Sequence, residues 1–134
     1  MPENNLTYII LEDTYYIALD IKEIVKSLRP GYRLAAVAET AVEAVSLISR
    51  DAPDLLIADT TASDGDSIRI LRDAGVDIPV VFISEYSTLA PKAETFRISA
   101  FILKPVTSSD LHRAFLHIEK KRNHLNQQHI ITPL

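Results

Sequence analysis

No cysteine occurs in the 134 residues. That excludes disulfides, thiolate metal sites and cysteine nucleophiles, and it fits a reducing compartment without requiring one. Glycine is scarce: Gly31, Gly65 and Gly75 are the three present, and they form no G-x-G-x-x-G turn, which disfavours a dinucleotide-binding enzyme. No apolar run approaches the roughly 20 residues that cross a bilayer. Met1 to Asn5 lack the basic-then-apolar pattern of a secretory leader. A surplus of positive charge is missing as well. The formal net charge is −4, so nothing points to general affinity for nucleic acid or an anionic membrane. There is no internal repeat, low-complexity tract or Gly/Ser linker. A cytoplasmic location is the default expectation.

What is present is an ordinary globular balance, 47% hydrophobic and 24% charged, at a length that suits a single domain over 1–134. The ordered core is expected over about 6–122, with a flexible tail over about 126–134. Apolar runs alternate with amphipathic segments, which argues for βα units and a parallel sheet. Strands are predicted at Thr7 to Leu11, Tyr32 to Ala38, Leu55 to Asp59, Val80 to Ile83 and Ala100 to Leu103. The first helix carries Ile17, Ile21, Ile24, Val25 and Leu28 at helical spacing and stops at Pro30-Gly31. Thr40 and Glu43 form a capping-box pattern ahead of Ala41, Ala44, Val45 and Ile48. Thr60 to Asp66 reads as a loop, and a short helix with Ile68 and Leu71 ends near Gly75. The weakest helix lies within Ser84 to Ser99, with Pro91 in its first turn. Thr107 can cap the last helix, whose inner face carries Leu111, Ala114, Phe115 and Ile118. The total is five strands and five helices in alternation, an αβα sandwich of three layers.

Each apolar run stops at a polar residue. Leu55-Leu56-Ile57-Ala58 runs into Asp59, Ile9-Ile10-Leu11 into Glu12-Asp13, Val80 to Ile83 into Ser84, and Phe101-Ile102-Leu103 into Lys104. In a parallel sheet all these ends share one edge, where open α/β sheets place their ligands. Clustered carboxylates repel one another and have raised pKa values unless a cation is present. Mg²⁺ takes oxygen ligands and relieves that repulsion. One carboxylate can then attack a phosphoryl donor and form an acyl phosphate, with a lysine and a hydroxyl holding the other oxygens.

These residues together resemble the receiver domain of two-component response regulators, over nearly the whole chain from Tyr8 to about Ile118. That family carries an acidic pair after the first strand, an acceptor Asp after the third, Ser or Thr after the fourth and Lys-Pro after the fifth. Here these are Glu12-Asp13, Asp59, Ser84 and Lys104-Pro105, with Phe101 at the aromatic position three residues before the lysine. The stretch Val80 to Pro105 is similar to receivers that precede LytTR-type DNA-binding domains, and the tail here is expected to be too short for an output fold. The resemblance implies a flavodoxin-like fold with strand order 2-1-3-4-5 and a usually cis Lys-Pro bond. It implies phosphorylation of Asp59 by a histidine kinase or phosphotransfer protein, with no enzymatic turnover beyond self-phosphorylation and autodephosphorylation. Mg²⁺ would be bound by Asp13, Asp59 and the backbone carbonyl of Thr61, with Glu12 acting through water. Ser84 and Lys104 would hold the phosphoryl oxygens, and Ser84 and Phe101 would switch the surface of the fourth helix, fifth strand and fifth helix. That surface is the expected site for an unidentified downstream protein or for homodimer formation, with no direct nucleic-acid or membrane contact.

The sequence departs from the family pattern in places. Ser63 stands four residues after Asp59 where proline is usual, Gly65 comes six after rather than eight, and Glu85 replaces the usual alanine after Ser84. Thr61 and Tyr86, each two beyond a site residue, sit where side chains tune hydrolysis. Two other readings therefore stay open: a receiver-like interaction module that is not phosphorylated, and an aspartate-nucleophile phosphatase. The phosphatase wants a second Asp two residues after the first, where Thr61 stands. Plainer roles are also on the table. Glu12-Asp13 suits the start of a helix, Phe101 suits plain core, and Asp64 and Asp66 suit loop and cap positions. His112, His117, His124 and His129 lack i,i+4 metal spacing, and Lys120 to Arg122 reads as a solvated helix end.

Overall fold

The computed structural model describes residues 5–131, with side chains described through 125. Strands β1 (Thr7–Leu11), β2 (Arg33–Ala38), β3 (Leu55–Asp59), β4 (Val80–Ser84) and β5 (Ser99–Leu103) form one parallel sheet in the order β2-β1-β3-β4-β5. Central parallel strands are covered on both faces and so need apolar residues at every position. Every residue of β3 and β4 is buried, matching their unbroken runs. The edge strand β2 alternates between exposed and covered positions, and β5 is only partly covered.

Helices α1 (Tyr15–Leu28), α2 (Ala41–Asp51), α3 (Ser67–Asp73), α4 (Ala90–Ala93) and α5 (Ser108–Ile131) cover the two faces. Side chains alternate across each strand, so the sheet divides two cores. Tyr8, Ile10, Ile57 and Ile83 pack with Ile21 and Val25 of α1 and Leu111 and Phe115 of α5. Ile9, Leu11, Leu56 and Phe82 pack with Ala41 and Ala44 of α2, Leu71 of α3 and Phe96. The sequence-predicted inner faces of α1, α2 and α5 are those that meet the sheet.

Two local expectations need correction. The loop 60–66 is not wholly irregular, because Thr61–Ala62 pairs antiparallel with Gly65–Asp66 around a two-residue turn. The weakest helix does lie within 84–99, as four residues, Ala90–Ala93, after a 3-10 turn at Ser87–Leu89, with Pro91 early in it as its missing N–H permits. Lys120 to Arg122 does not end α5, which continues to Ile131, and Arg122 is not fully solvated, since its Nη2 lies 3.6 Å from Asp54 Oδ1. The expected tail over 126–134 lies outside the described side chains. The Lys104-Pro105 bond is cis.

Caps follow from the residue types. Thr40 Oγ1 accepts from Glu43 N at 3.0 Å, and Glu43 Oε1 accepts from Glu39 N at 2.9 Å, one residue ahead of the usual box. Thr107 Oγ1 accepts from Asp110 N at 3.1 Å at the start of α5. Arg29, at the end of α1, holds Glu119 of α5 through two hydrogen bonds of 2.8 and 3.0 Å, and the Tyr32 hydroxyl donates to the same carboxylate.

The chain turns left-handed at two helix ends with different residues. Ala52 has φ +47 after α2, where a Cβ is strained, and Gly75 has φ +76 after α3, where a Cβ would meet open space. Ala52→Gly should therefore stabilise the fold by about 0.5–1 kcal/mol, and Gly75→Ala should destabilise it by about 1 kcal/mol. Urea unfolding of the two variants checks this, and shifts of the same sign would refute it.

Candidate functional site

Parallel pairing brings the carboxyl ends of β1, β3, β4 and β5 to one edge of the sheet. Ladder bonds continue just past the strands: Glu12 N donates to Ala38 O at 2.9 Å, Thr60 N to Ile83 O at 2.9 Å, and Lys104 N to Ser84 O at 2.8 Å. The backbone from which Glu12, Asp59, Ser84 and Lys104 project is thus held by the same hydrogen bonds that hold the sheet.

Asp59 is 5% exposed and Glu12 2% exposed. Lys104 Nζ lies 2.7 Å from Asp59 Oδ2 and 3.3 Å from Glu12 Oε1, so one ammonium contacts two carboxylates. The second Asp59 oxygen, Oδ1, accepts from Thr61 N at 2.9 Å. Glu12 Oε2 accepts from Thr14 N at 3.1 Å. Asp13 is exposed beside them, and its Oδ2 accepts from the Ser63 hydroxyl at 3.1 Å. Ser84 is fully buried; its Oγ accepts from Thr60 Oγ1 at 2.8 Å and from Tyr86 N at 3.0 Å. Phe101 is part-buried against the core on the α3 side and lines a cleft of about 600 Å³ with Ala90, Leu103 and Arg113. Glu85 lines a second cleft, of about 480 Å³, with Ile17, Asp20, Lys104 and Val106.

Burial pushes the Glu12 carboxyl up to about 7, with the Thr14 N–H and Lys104 pulling it down and Asp59 pushing it further up. Partial burial opposes the Lys104 charge, but Asp59 and Glu12 outweigh it and hold the ammonium above its ordinary pKa. One lysine thus does not neutralise its surroundings.

The residues fit a hard divalent cation. Glu12, Asp13 and Asp59 each offer a carboxylate oxygen within 4.8 Å of the others, and among the described residues they form the one such group, with no histidine in it. Glu12 Oε1 is buried without a hydrogen-bond partner, having only its ion pair to Lys104. An all-oxygen donor set with excess negative charge suits Mg²⁺ rather than a softer metal.

The structure therefore brings Glu12, Asp13, Asp59 and Lys104 together and places Ser84 on the neighbouring strand end. Two contributors, Thr60 and Ser63, had no site role in the sequence reading, while Asp64 and Asp66 take the loop and cap positions expected of them. Thr60 is only 2% exposed because it bonds Ser84. Ser63, where proline is usual, reaches Asp13. Asp64 accepts from Ala41 N at 2.9 Å and Val42 N at 3.1 Å, tying the loop to the start of α2, while Asp66 accepts from Arg69 N and caps α3. Slight burial opposes the Asp64 charge, but those two N–H groups prevail and hold its carboxyl below the usual range.

Comparison with known proteins yields a family match and a set of similar folds. The family described as "Response regulator receiver domain" matches residues 8–116. Among solved structures, the signal receiver domain of a modulated diguanylate cyclase from Desulfovibrio desulfuricans G20 is 25% identical, with TM-score 0.73, covering 89% of this chain and 98% of that one. The PhyR response regulator REC domain of Erythrobacter litoralis is also 25% identical, with TM-score 0.70, covering 83% and 87%. The anti-anti-sigma factor PhyR mutant from Bartonella quintana is 24% identical, with TM-score 0.75, and 91% of this chain spans only 52% of its length. Comparison with curated proteins finds no significant match.

Two expectations come from this geometry. Glu12 has a raised pKa in the fold, so its contribution favours folding at low pH and is lost as pH rises from its ordinary 4.5 through about 7. Mg²⁺ held by these carboxylates would offset that loss, so the increase in Tm on adding Mg²⁺ should be larger at pH 8 than at pH 5.5, which thermal denaturation checks. Asp64→Ala should cost about 1 kcal/mol, the value of a helix cap, and should speed hydrogen exchange at Ala41 and Val42. Unchanged exchange at those amides would show that the carboxylate does not hold the loop.

Proposed function

The chain belongs to the response regulator receiver domain family, and from that premise we propose that Asp59 accepts a phosphoryl group from a histidine kinase or phosphotransfer protein. The observation that carries this reading is the position of Asp59: a nearly buried carboxylate, bonded to Lys104 and flanked by two further acids at the sheet edge. One Asp59 oxygen attacks the phosphorus of a phosphohistidine. The O–P bond forms as the P–N bond breaks, and the leaving imidazole takes a proton from solvent. Thr61 N and Lys104 Nζ already hold the two carboxylate oxygens in place, so little reorganisation is needed at the nucleophile.

Glu12, Asp13, Asp59 and the Thr61 carbonyl would hold Mg²⁺, which supplies positive charge to offset that of the transferring group. Lys104 steadies the phosphoryl oxygens as a point charge. Ser84 turns its hydroxyl to the phosphoryl group, vacating space beside α4 into which Phe101 moves. The surface formed by α4, β5 and α5 then changes shape and meets a downstream protein or a second copy of the chain. In this account phosphorylation biases two pre-existing arrangements rather than building a new one.

Incubation with Mg²⁺ and acetyl phosphate should add one labile phosphoryl group, seen in intact mass. Asp59→Asn should add none. Lys104→Ala should slow the gain by roughly 10²–10³, the range for loss of one charge-stabilising donor. Absence of any gain across donors and metals would instead favour a module that binds partners without being phosphorylated, with Glu85 and the short loop as the cause.

A further inference from the structure

Ser84 and Thr60 form a closed pair of hydroxyls. Asp59 pairs with Ile83 across β3 and β4, so the next residues, Thr60 and Ser84, lie side by side. Both are shut off from solvent, at 2% and 0% exposure. Thr60 Oγ1 donates to Ser84 Oγ at 2.8 Å, Tyr86 N donates to the same oxygen at 3.0 Å, and Ser84 Oγ donates to Tyr86 O at 3.3 Å. A serine hydroxyl has one proton and two acceptor lone pairs, so Ser84 is fully subscribed. Its own proton has the longest bond of the three.

We propose that Thr60 is a positioning residue that locks the Ser84 hydroxyl in its resting orientation and so sets the threshold for the switch. The inference rests on the reading of Asp59 as phospho-acceptor. When Ser84 turns to donate to a phosphoryl oxygen, it leaves its bonds to Tyr86 and Thr60. Tyr86 is exposed and its amide can turn to water. Thr60 is buried, and its hydroxyl loses its partner in a place water does not reach. An unpaired buried donor costs more than the bond itself was worth. The resting state is therefore favoured by a hydroxyl that bonds Ser84 rather than the acceptor carboxylate.

Fluoroberyllate, which mimics a phosphoryl group on a carboxylate, provides the measurement. Thr60→Val keeps the branched shape and removes the hydroxyl. It should tighten Mg²⁺-dependent fluoroberyllate binding about fivefold to a hundredfold, the cost of leaving one buried donor unpaired. Thr60→Ser restores the hydroxyl and should bind within about twofold of the wild type. In the Ser84→Ala background, Thr60→Val should leave the affinity unchanged, because the partner it frees is gone. In metal-free protein, Thr60→Val should also speed hydrogen exchange at the Tyr86 amide. Thr60→Ala serves if the valine variant does not fold. Equal effects in the Ser84 and Ser84→Ala backgrounds, weaker binding in Thr60→Val, or unchanged Tyr86 exchange would each overturn the proposal. If the wild type takes neither fluoroberyllate nor a phosphoryl group from acetyl phosphate, the phospho-acceptor reading fails instead, and the Tyr86 exchange still decides whether Thr60 holds Ser84.

Discussion

Lys104 sits with one ammonium against two buried carboxylates, Asp59 at 2.7 Å and Glu12 at 3.3 Å. Three strand ends meet at that contact: β1 through Glu12, β3 through Asp59 and β5 through Lys104. A buried carboxylate without such a partner would carry a large desolvation cost, and a lysine left beside apolar strands would lose its charge. The pairing is incomplete. Two acids share one base, a third acid stands beside them, and burial drives Glu12 to bind a proton near neutral pH. The site is thus held together by a charge arrangement that still calls for a further cation.

Around this contact the molecule is stiff where the sheet carries the residues and softer where loops do. Asp59, Ser84 and the start of Lys104 stand on backbone fixed by ladder hydrogen bonds. The segment after β4 is different. It is a 3-10 turn and a four-residue helix, anchored to the core through Ala93 and, just beyond it, Phe96. Ser84 lies at the boundary between the two regimes, and Phe101 sits under the softer one. The loop after β3 is tied down at both sides, by Ser63 to Asp13 and by Asp64 to α2. That is a stiffer loop than its shortened, proline-free sequence suggests.

Much of this was legible in the residues. The short unbroken apolar runs of β3 and β4 suited buried parallel strands, and in a parallel sheet the polar residue ending each run falls on one shared edge. The inner faces of α1, α2 and α5 followed from spacing. Other features were hidden for physical reasons. Thr60 is a common loop residue, and nothing in one chain says that its hydroxyl will be sealed against Ser84. Asp64 reads as a turn residue because its partners, Ala41 and Val42, are more than twenty positions away.

By itself, the sequence determined the alternation of strands and helices, the two-sided burial of the sheet and the chemical types at the strand ends. Those depend on periodicity and on local chain stiffness, which are properties of neighbouring residues. Only the tertiary structure decided which oxygen faces which nitrogen: Lys104 between Glu12 and Asp59, Thr60 on Ser84, Ser63 on Asp13. Such contacts join residues far apart in the chain, and their geometry depends on strand register and crossover placement that no short stretch encodes. The charge imbalance at the site belongs to this second kind, because it exists only once the strand ends have met.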